Sequence, residues 1–186
     1  MLRYSLLFFL QVFTFSAFAQ PTMGEVLKNM PDSLLPYLSH NNRLDCIDFC
    51  EANMKGEVRN ELDGKSVLSQ LTADYALFRL NEASKMELFL LETGSQSDSI
   101  VCVIQTYGTD LCESIISFYS IVWQQLPVAK YLPESTKALA AHYDAELKVL
   151  TLESSNYLER PALEEQHEAV KVLIKLKWKD GTFNKI

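Results

Sequence analysis

At 186 residues the chain is long enough for one domain with a substantial core. It carries 17 Lys and Arg against 24 Asp and Glu, a net charge of −7, which speaks against the phosphate neutralisation that nonspecific nucleic-acid binding requires. With 48% hydrophobic and 22% charged residues, wholesale disorder is excluded.

Residues 1–19 read as a secretory signal peptide. Arg3 supplies the positive start, residues 6–18 are mostly apolar, and Ala17-Phe18-Ala19 gives the small-x-small pattern that signal peptidase cuts. The apolar run is shorter than the roughly 18–20 residues a membrane-spanning helix needs. Gln20 rather than Cys follows the cut, so a lipid anchor is not supported, and loss of Arg3 takes the net charge to −8. Residues 20–186 are expected to be exported to the periplasm or beyond, as a single α+β domain without a transmembrane anchor.

Residues 20–55 read as helical with breaks. Residues 22–30 form a short helix stopped by Pro31, and Asp32 caps a second one. Asn42 looks like an N-cap with Asp45 at the capping-box place. Leu44, Ile47, Cys50 and Met54 recur at helical spacing, and Gly56 falls where a C′ glycine belongs.

After Gly56 the period changes. Asp63-Gly64 marks a hairpin turn between residues 58–62 and 67–71. Strands are predicted at residues 76–81, 85–91, 99–105 and 113–123, joined by short turn-rich links that imply antiparallel neighbours. In residues 85–91, Met86, Leu88 and Leu90 share one face while Lys85 and Glu87 take the other. Residues 99–104 are apolar on both faces after Ser99, as expected of a central strand. Residues 134–142 are expected to be a short helix and residues 146–152 a strand. The clearest alternation is Val170, Val172, Ile174, Leu176 and Trp178 against Lys171, Leu173, Lys175, Lys177 and Lys179, a half-buried strand ended by Asp180-Gly181. The fold class is therefore α+β, with N-terminal helices packed on a largely antiparallel meander sheet.

Export permits disulfides among Cys46, Cys50, Cys102 and Cys112. Cys102 and Cys112 flank Gly108 across a strand-loop-strand turn and are the better pair, whereas Cys46 and Cys50 sit within one helix turn where the bridge is strained. Four small buried thiols is the competing reading.

No assembled catalytic motif stands out. His40 lies in a turn beside Asn41 and Asn42, His142 ends the expected helix, and His167 follows Glu164 at a Glu-x-x-His spacing that metal sites need twice. There is no G-x-S-x-G, and the glycines at 24, 56, 64, 94, 108 and 181 stand singly, so no phosphate-binding loop can be built. No catalytic residue, metal ligand or cofactor is assigned. The ligand-binding candidates are Lys171, Lys175, Lys177 and Lys179, whose spacing suits a polyanion, and Tyr119 with Trp123, which could line a cleft. Each has a plainer reading: lysines on a solvent face or guarding a sheet edge, and aromatics in core packing.

Met30-Pro31-Asp32-Ser33, Asn41 to Asp45 with Asp48-Phe49, Leu62 to Ser66, Leu71-Thr72, Val101 to Ile104 and Ser117 to Tyr119 ahead of Trp123 occur in an order and spacing that resembles a family of small exported proteins from Bacteroides-type bacteria. That family is a domain of unknown function. The resemblance spans residues 25–180 and implies export from a Gram-negative anaerobe without an established activity. The expected function is a non-enzymatic binding module whose partner is an envelope protein or glycan. The alternative is a hydrolase of envelope or dietary polymers with a dispersed carboxylate/His site, favoured if His142 or His167 lies within hydrogen-bond reach of a carboxylate.

Overall fold

The computed structural model describes residues 20–94, 99–109, 112–133, 140–155 and 171–186. Helix α1 (Met23–Lys28) opens with a full capping box: Thr22 accepts the Glu25 N–H and the Glu25 carboxylate accepts the Thr22 N–H. A 3-10 turn (Asp32–Leu34) follows Pro31. Helix α2 (His40–Glu51) begins earlier than its sequence suggests, because Ser39 takes the N-cap and accepts the Asn42 N–H at 3.2 Å. The Asn42 carboxamide is engaged instead with the Arg59 carbonyl. The left-handed place after the helix belongs to Asn53, at φ 57°, not to Gly56.

The inward face of α2 also differs from expectation. Arg43, Cys46 and Ile47 are buried, while Met54 is exposed. Arg43 is 1% exposed and reaches Asp32 Oδ1 and His40 Nδ1, both at 2.8 Å. Since a guanidinium only donates, His40 Nδ1 is the acceptor, and His40 is a structural partner of a buried cation. Gly56 has a steric role: a Cβ there would stand 2.7 Å from Cys50 Sγ, 2.9 Å from the Cys46 carbonyl and 3.0 Å from the Leu68 carbonyl.

Strands β1 (Gly56–Arg59), β2 (Lys65–Leu71), β3 (Tyr75–Asn81), β4 (Ser84–Glu92), β5 (Ser99–Tyr107), β6 (Glu113–Ser120) and β7 (Gln125–Leu126) form a seven-stranded antiparallel sheet in chain order. A second, four-stranded antiparallel sheet has the order β11-β10-β9-β8, from β8 (Ala140–Asp144), β9 (Val149–Ser155), β10 (Lys171–Lys179) and β11 (Thr182–Lys185). The chain is mostly antiparallel β with few helices, so α+β fits in breadth, but there are two sheets where one was expected.

Asp63 at φ 61° makes the first hairpin turn, and the buried Asn60 carboxamide organises it. Asn60 accepts the Leu62 and Gly64 N–H groups and donates to Ser66 Oγ and the Leu80 carbonyl, satisfying its full hydrogen-bonding capacity. Where the expected helix over residues 134–142 would end, the described residues form a strand. Residues 134–139 lie outside the described residues, and Ala140–Asp144 alternates buried Ala141 and Tyr143 with an exposed His142. That period of two is a strand's, and the alanines before it misled the helical reading.

The large sheet is buried on both faces. Met86, Leu88, Val101 and Val103 share an apolar cluster with Met23, Val26 and Leu27 of α1 and Cys46 and Ile47 of α2. Phe89, Leu91, Ile100, Cys102 and Ile104 share another with Tyr143, Leu150, Leu152, Leu176 and Phe183 of the small sheet. Central β5 is therefore apolar on both sides, as its sequence predicts. Within the second cluster Phe89 and Tyr143 stack face to face at 3.7 Å.

Candidate functional site

β8 is the outer strand of the small sheet, so the N–H groups on its free edge need partners from elsewhere. Two side chains of the large sheet supply them. Ser114 Oγ accepts the Ala141 N–H at 2.9 Å, and Glu87 Oε2 accepts the Tyr143 N–H at 3.3 Å. The other oxygen of Glu87 faces His142 Nδ1 at 2.6 Å, and Lys85 Nζ stands 3.5 Å away. Burial, with the Glu87 charge nearby, pushes the Tyr75 phenol up from its ordinary value. A carboxylate with 1% of its side chain exposed is thus met by three donors, two from side chains and one from the backbone.

His142 is the exposed half of this pair, with 61% of its side chain open to solvent. The hydrogen bond to Glu87 raises its pKa above 6.5, overcoming the opposing effect of partial burial. Burial pushes the Tyr143 phenol up to about 12, and burial next to Glu87 raises the Cys102 thiol well above its ordinary value. A buried carboxylate that orients an exposed imidazole holds one ring nitrogen and leaves the other free to exchange protons. Among the described residues no nucleophilic side chain bonds His142.

Glu87 escaped the sequence reading because it alternates with Lys85 on what looks like a solvent face. The available signal was Phe89 and Leu91, which share that face and require it to be covered further along. His142, one of the two histidines singled out for the hydrolase alternative, reaches Glu87 from a strand rather than from the end of a helix. His167 lies outside the described residues.

The lysine candidates lie on the outer face of the small sheet. Lys175, Lys177 and Lys179 are exposed on one side of β10, with Leu173, while Leu176 is buried on the other. Lys171 begins the strand, and its side chain lies outside what is described. β10 runs between β9 and β11, so these lysines guard no edge. The register aligns His142 with Thr151 and Thr151 with Lys175, and pairs Lys177 with Asn184. Asp144 and Glu153 are the carboxylates of the same face. None of the three exposed lysines forms an ion pair among the described residues.

Trp123 and Tyr119 do not line a cleft together. Trp123 is 8% exposed, its indole N–H is committed to the Val26 carbonyl at 3.0 Å, and Tyr119 packs beside it at 5.7 Å between rings. The pair belongs to the core shared with the helices. The expected Cys102–Cys112 bridge is not formed. All four cysteines are free thiols, and Cys102 is paired in register with Phe118, deep in β5. Cys112 precedes β6, about 20 Å along the ladder at the usual rise per residue.

One open cleft, of about 350 Å³, does form between the sheets beside the start of α1. Gln20, Asp74, Glu92, Lys148, Lys177 and Trp178 contribute to its wall. The Trp178 indole N–H bonds the Glu92 carbonyl at 2.7 Å, and Lys148 faces Asp74 at 3.5 Å. Among the described residues no cluster of His, Cys, Asp and Glu could hold a metal ion, and no helix is long and apolar enough to cross a membrane.

With this geometry in hand, a solved structure of a domain of an uncharacterized protein from Porphyromonas gingivalis W83 proves similar. The TM-score is 0.72 at 16% identity, over 90% of this chain and 99% of the other, a likeness of fold. No curated protein matches. Residues 14–156, well over half the chain, match the family described as Protein of unknown function (DUF3256), and the chain belongs to that family.

Proposed function

We propose that this protein is an exported, non-enzymatic binding module of the bacterial envelope whose lysine-bearing sheet face receives an acidic glycan. The observation that carries the proposal is the place of β10. Lysines on an interior strand blunt no exposed edge, which removes one of the two plainer reasons for such a row and leaves the solvent face. Three ammonium groups about 6–7 Å apart, without carboxylate partners among the described residues, stand on a chain of net charge −7. A linear polymer with regularly spaced carboxylates or sulfates fits that row. The leader sequence supports a setting in which such polymers occur.

The test uses residues 20–186 and an immobilised acidic polysaccharide such as polygalacturonate, with a neutral polysaccharide as control. Binding to the acidic polymer alone, weakening as salt rises and falling at least tenfold in the variant Lys175→Glu/Lys177→Glu/Lys179→Glu, is the expected result. Equal retention of the variant overturns the proposal. Recovery from envelope extracts of a protein partner that ignores these substitutions would move the site elsewhere.

The Glu87–His142 contact favours the hydrolase as a second reading. There His142 takes a proton from water that attacks a glycosidic, peptide or ester substrate, and Glu87 holds the ring in place. Turnover of such a substrate by the purified protein, abolished by His142→Ala, would establish it. Absence of turnover across the three classes overturns it.

A further inference from the structure

We propose that Gln20 is a modification site: once cleavage after Ala19 makes it the first residue, it closes to pyroglutamate. The inference rests on the exported reading above, because only a free α-amine at residue 20 can react.

Two structural observations join the cleavage pattern Ala17-Phe18-Ala19 in supporting it. The first is where the chain becomes fixed. Thr22 is held by the capping box with Glu25, and the Met23 N–H bonds the Ala73 carbonyl at 2.7 Å. Pro21, between Gln20 and Thr22, has a restricted φ. Gln20 is thus an exposed residue on an anchored base.

The second is how the side chain is held. Ser99 Oγ donates to Gln20 Oε1 at 3.2 Å, while Gln20 Nε2 has no partner among the described residues. When the α-nitrogen adds to Cδ, negative charge builds on Oε1, the atom the Ser99 hydroxyl already touches. The tetrahedral centre then collapses by breaking the bond from Cδ to Nε2. The departing nitrogen leaves as ammonia, carrying the proton given up by the attacking amine. The lactam keeps Oε1 as its carbonyl oxygen. No oxidant, reductant or co-reactant enters. Because Gln20 lines the cleft with Asp74 and Glu92, closure replaces an ammonium group at its rim by a neutral ring.

The experiment expresses the chain with its leader in the native exporting cell, purifies the mature protein, and sequences the tryptic peptide of residues 20–28 by mass spectrometry. A peptide that starts at residue 20, resists Edman degradation and is lighter by about 17 Da, the mass of the ammonia lost, is the expected result. A peptide that starts at Gln20 with a free amine overturns ring closure and leaves export standing. A retained leader, or a start elsewhere, overturns both. In purified chains freshly freed at Gln20, Ser99→Ala is expected to slow closure about threefold to tenfold, the range for one hydrogen bond. Equal rates would remove Ser99 from the site.

Discussion

Replacing Glu87 by Leu keeps a side chain of similar bulk while removing both carboxylate oxygens from the junction of the two sheets. His142 is largely exposed and Lys85 partly so, and both can turn to water, so their loss costs little. The Tyr143 N–H is buried and cannot. An unsatisfied buried donor costs about 1–3 kcal/mol before relief from burying a carboxylate is subtracted. The expected net loss is about 1–2 kcal/mol. Glu87→Gln retains a carbonyl oxygen for Tyr143 and should cost less than half as much. Urea unfolding followed by fluorescence, with equal m-values confirming that the transition is unchanged in kind, measures both variants. If Glu87→Leu is as stable as Glu87→Gln, the carboxylate does not hold the strand edge and the argument for a sheet-joining role fails.

Further outcomes follow from other contacts. His142 has a raised folded-state pKa, so its protonated contribution is full below its unfolded value of about 6.5 and fades as pH rises through the higher folded value. His142→Ala should therefore destabilise at pH 5.5 by less than about 1 kcal/mol, given its exposure, and be neutral at pH 9; a penalty that grows with pH refutes the pairing. Cys46, pushed up to about 11 by burial, and Cys102 should resist iodoacetamide at pH 8 until unfolding, while half-buried Cys112 reacts in the native state. An unreactive Cys112 with an intact mass two hydrogens short would reveal the bridge that the register forbids. Gly56→Ala drives a methyl group against two carbonyl oxygens and a sulfur, and a loss of about 1–3 kcal/mol in thermal or urea unfolding is expected.

Local signals were strong wherever one face decided the pattern. The alternation in β10, the Asp63-Gly64 hairpin and the two-sided apolar character of β5 all led to the right element. The pairing of all seven strands in chain order follows from their short links. What the sequence hid was the second sheet. With nothing to announce a layer over β4 and β5, Glu87 read as a solvent charge and Tyr75 as an ordinary strand residue. The site candidates divided on the same ground. Lysine alternation located an exposed face, whereas the aromatics Tyr119 and Trp123 carried no mark of which side they would take. Arg43 shows the limit from the other direction: a cation at an inward helix position is legible only once Asp32 and His40 are seen around it.

Both sheets are built from strands that pair with their neighbours in sequence, and this has a kinetic consequence. Closing short hairpins costs little chain entropy, so the large sheet can assemble from its own segment without waiting for distant contacts. The slow event is then docking, when the free edge of β8 meets Ser114 and Glu87 and the second apolar cluster dries. In native-state hydrogen exchange, amides of β8 and β9 should open together, at a lower free energy than those of β4 and β5. The junction that brings His142 to the surface would then be the molecule's most readily reversed step of folding.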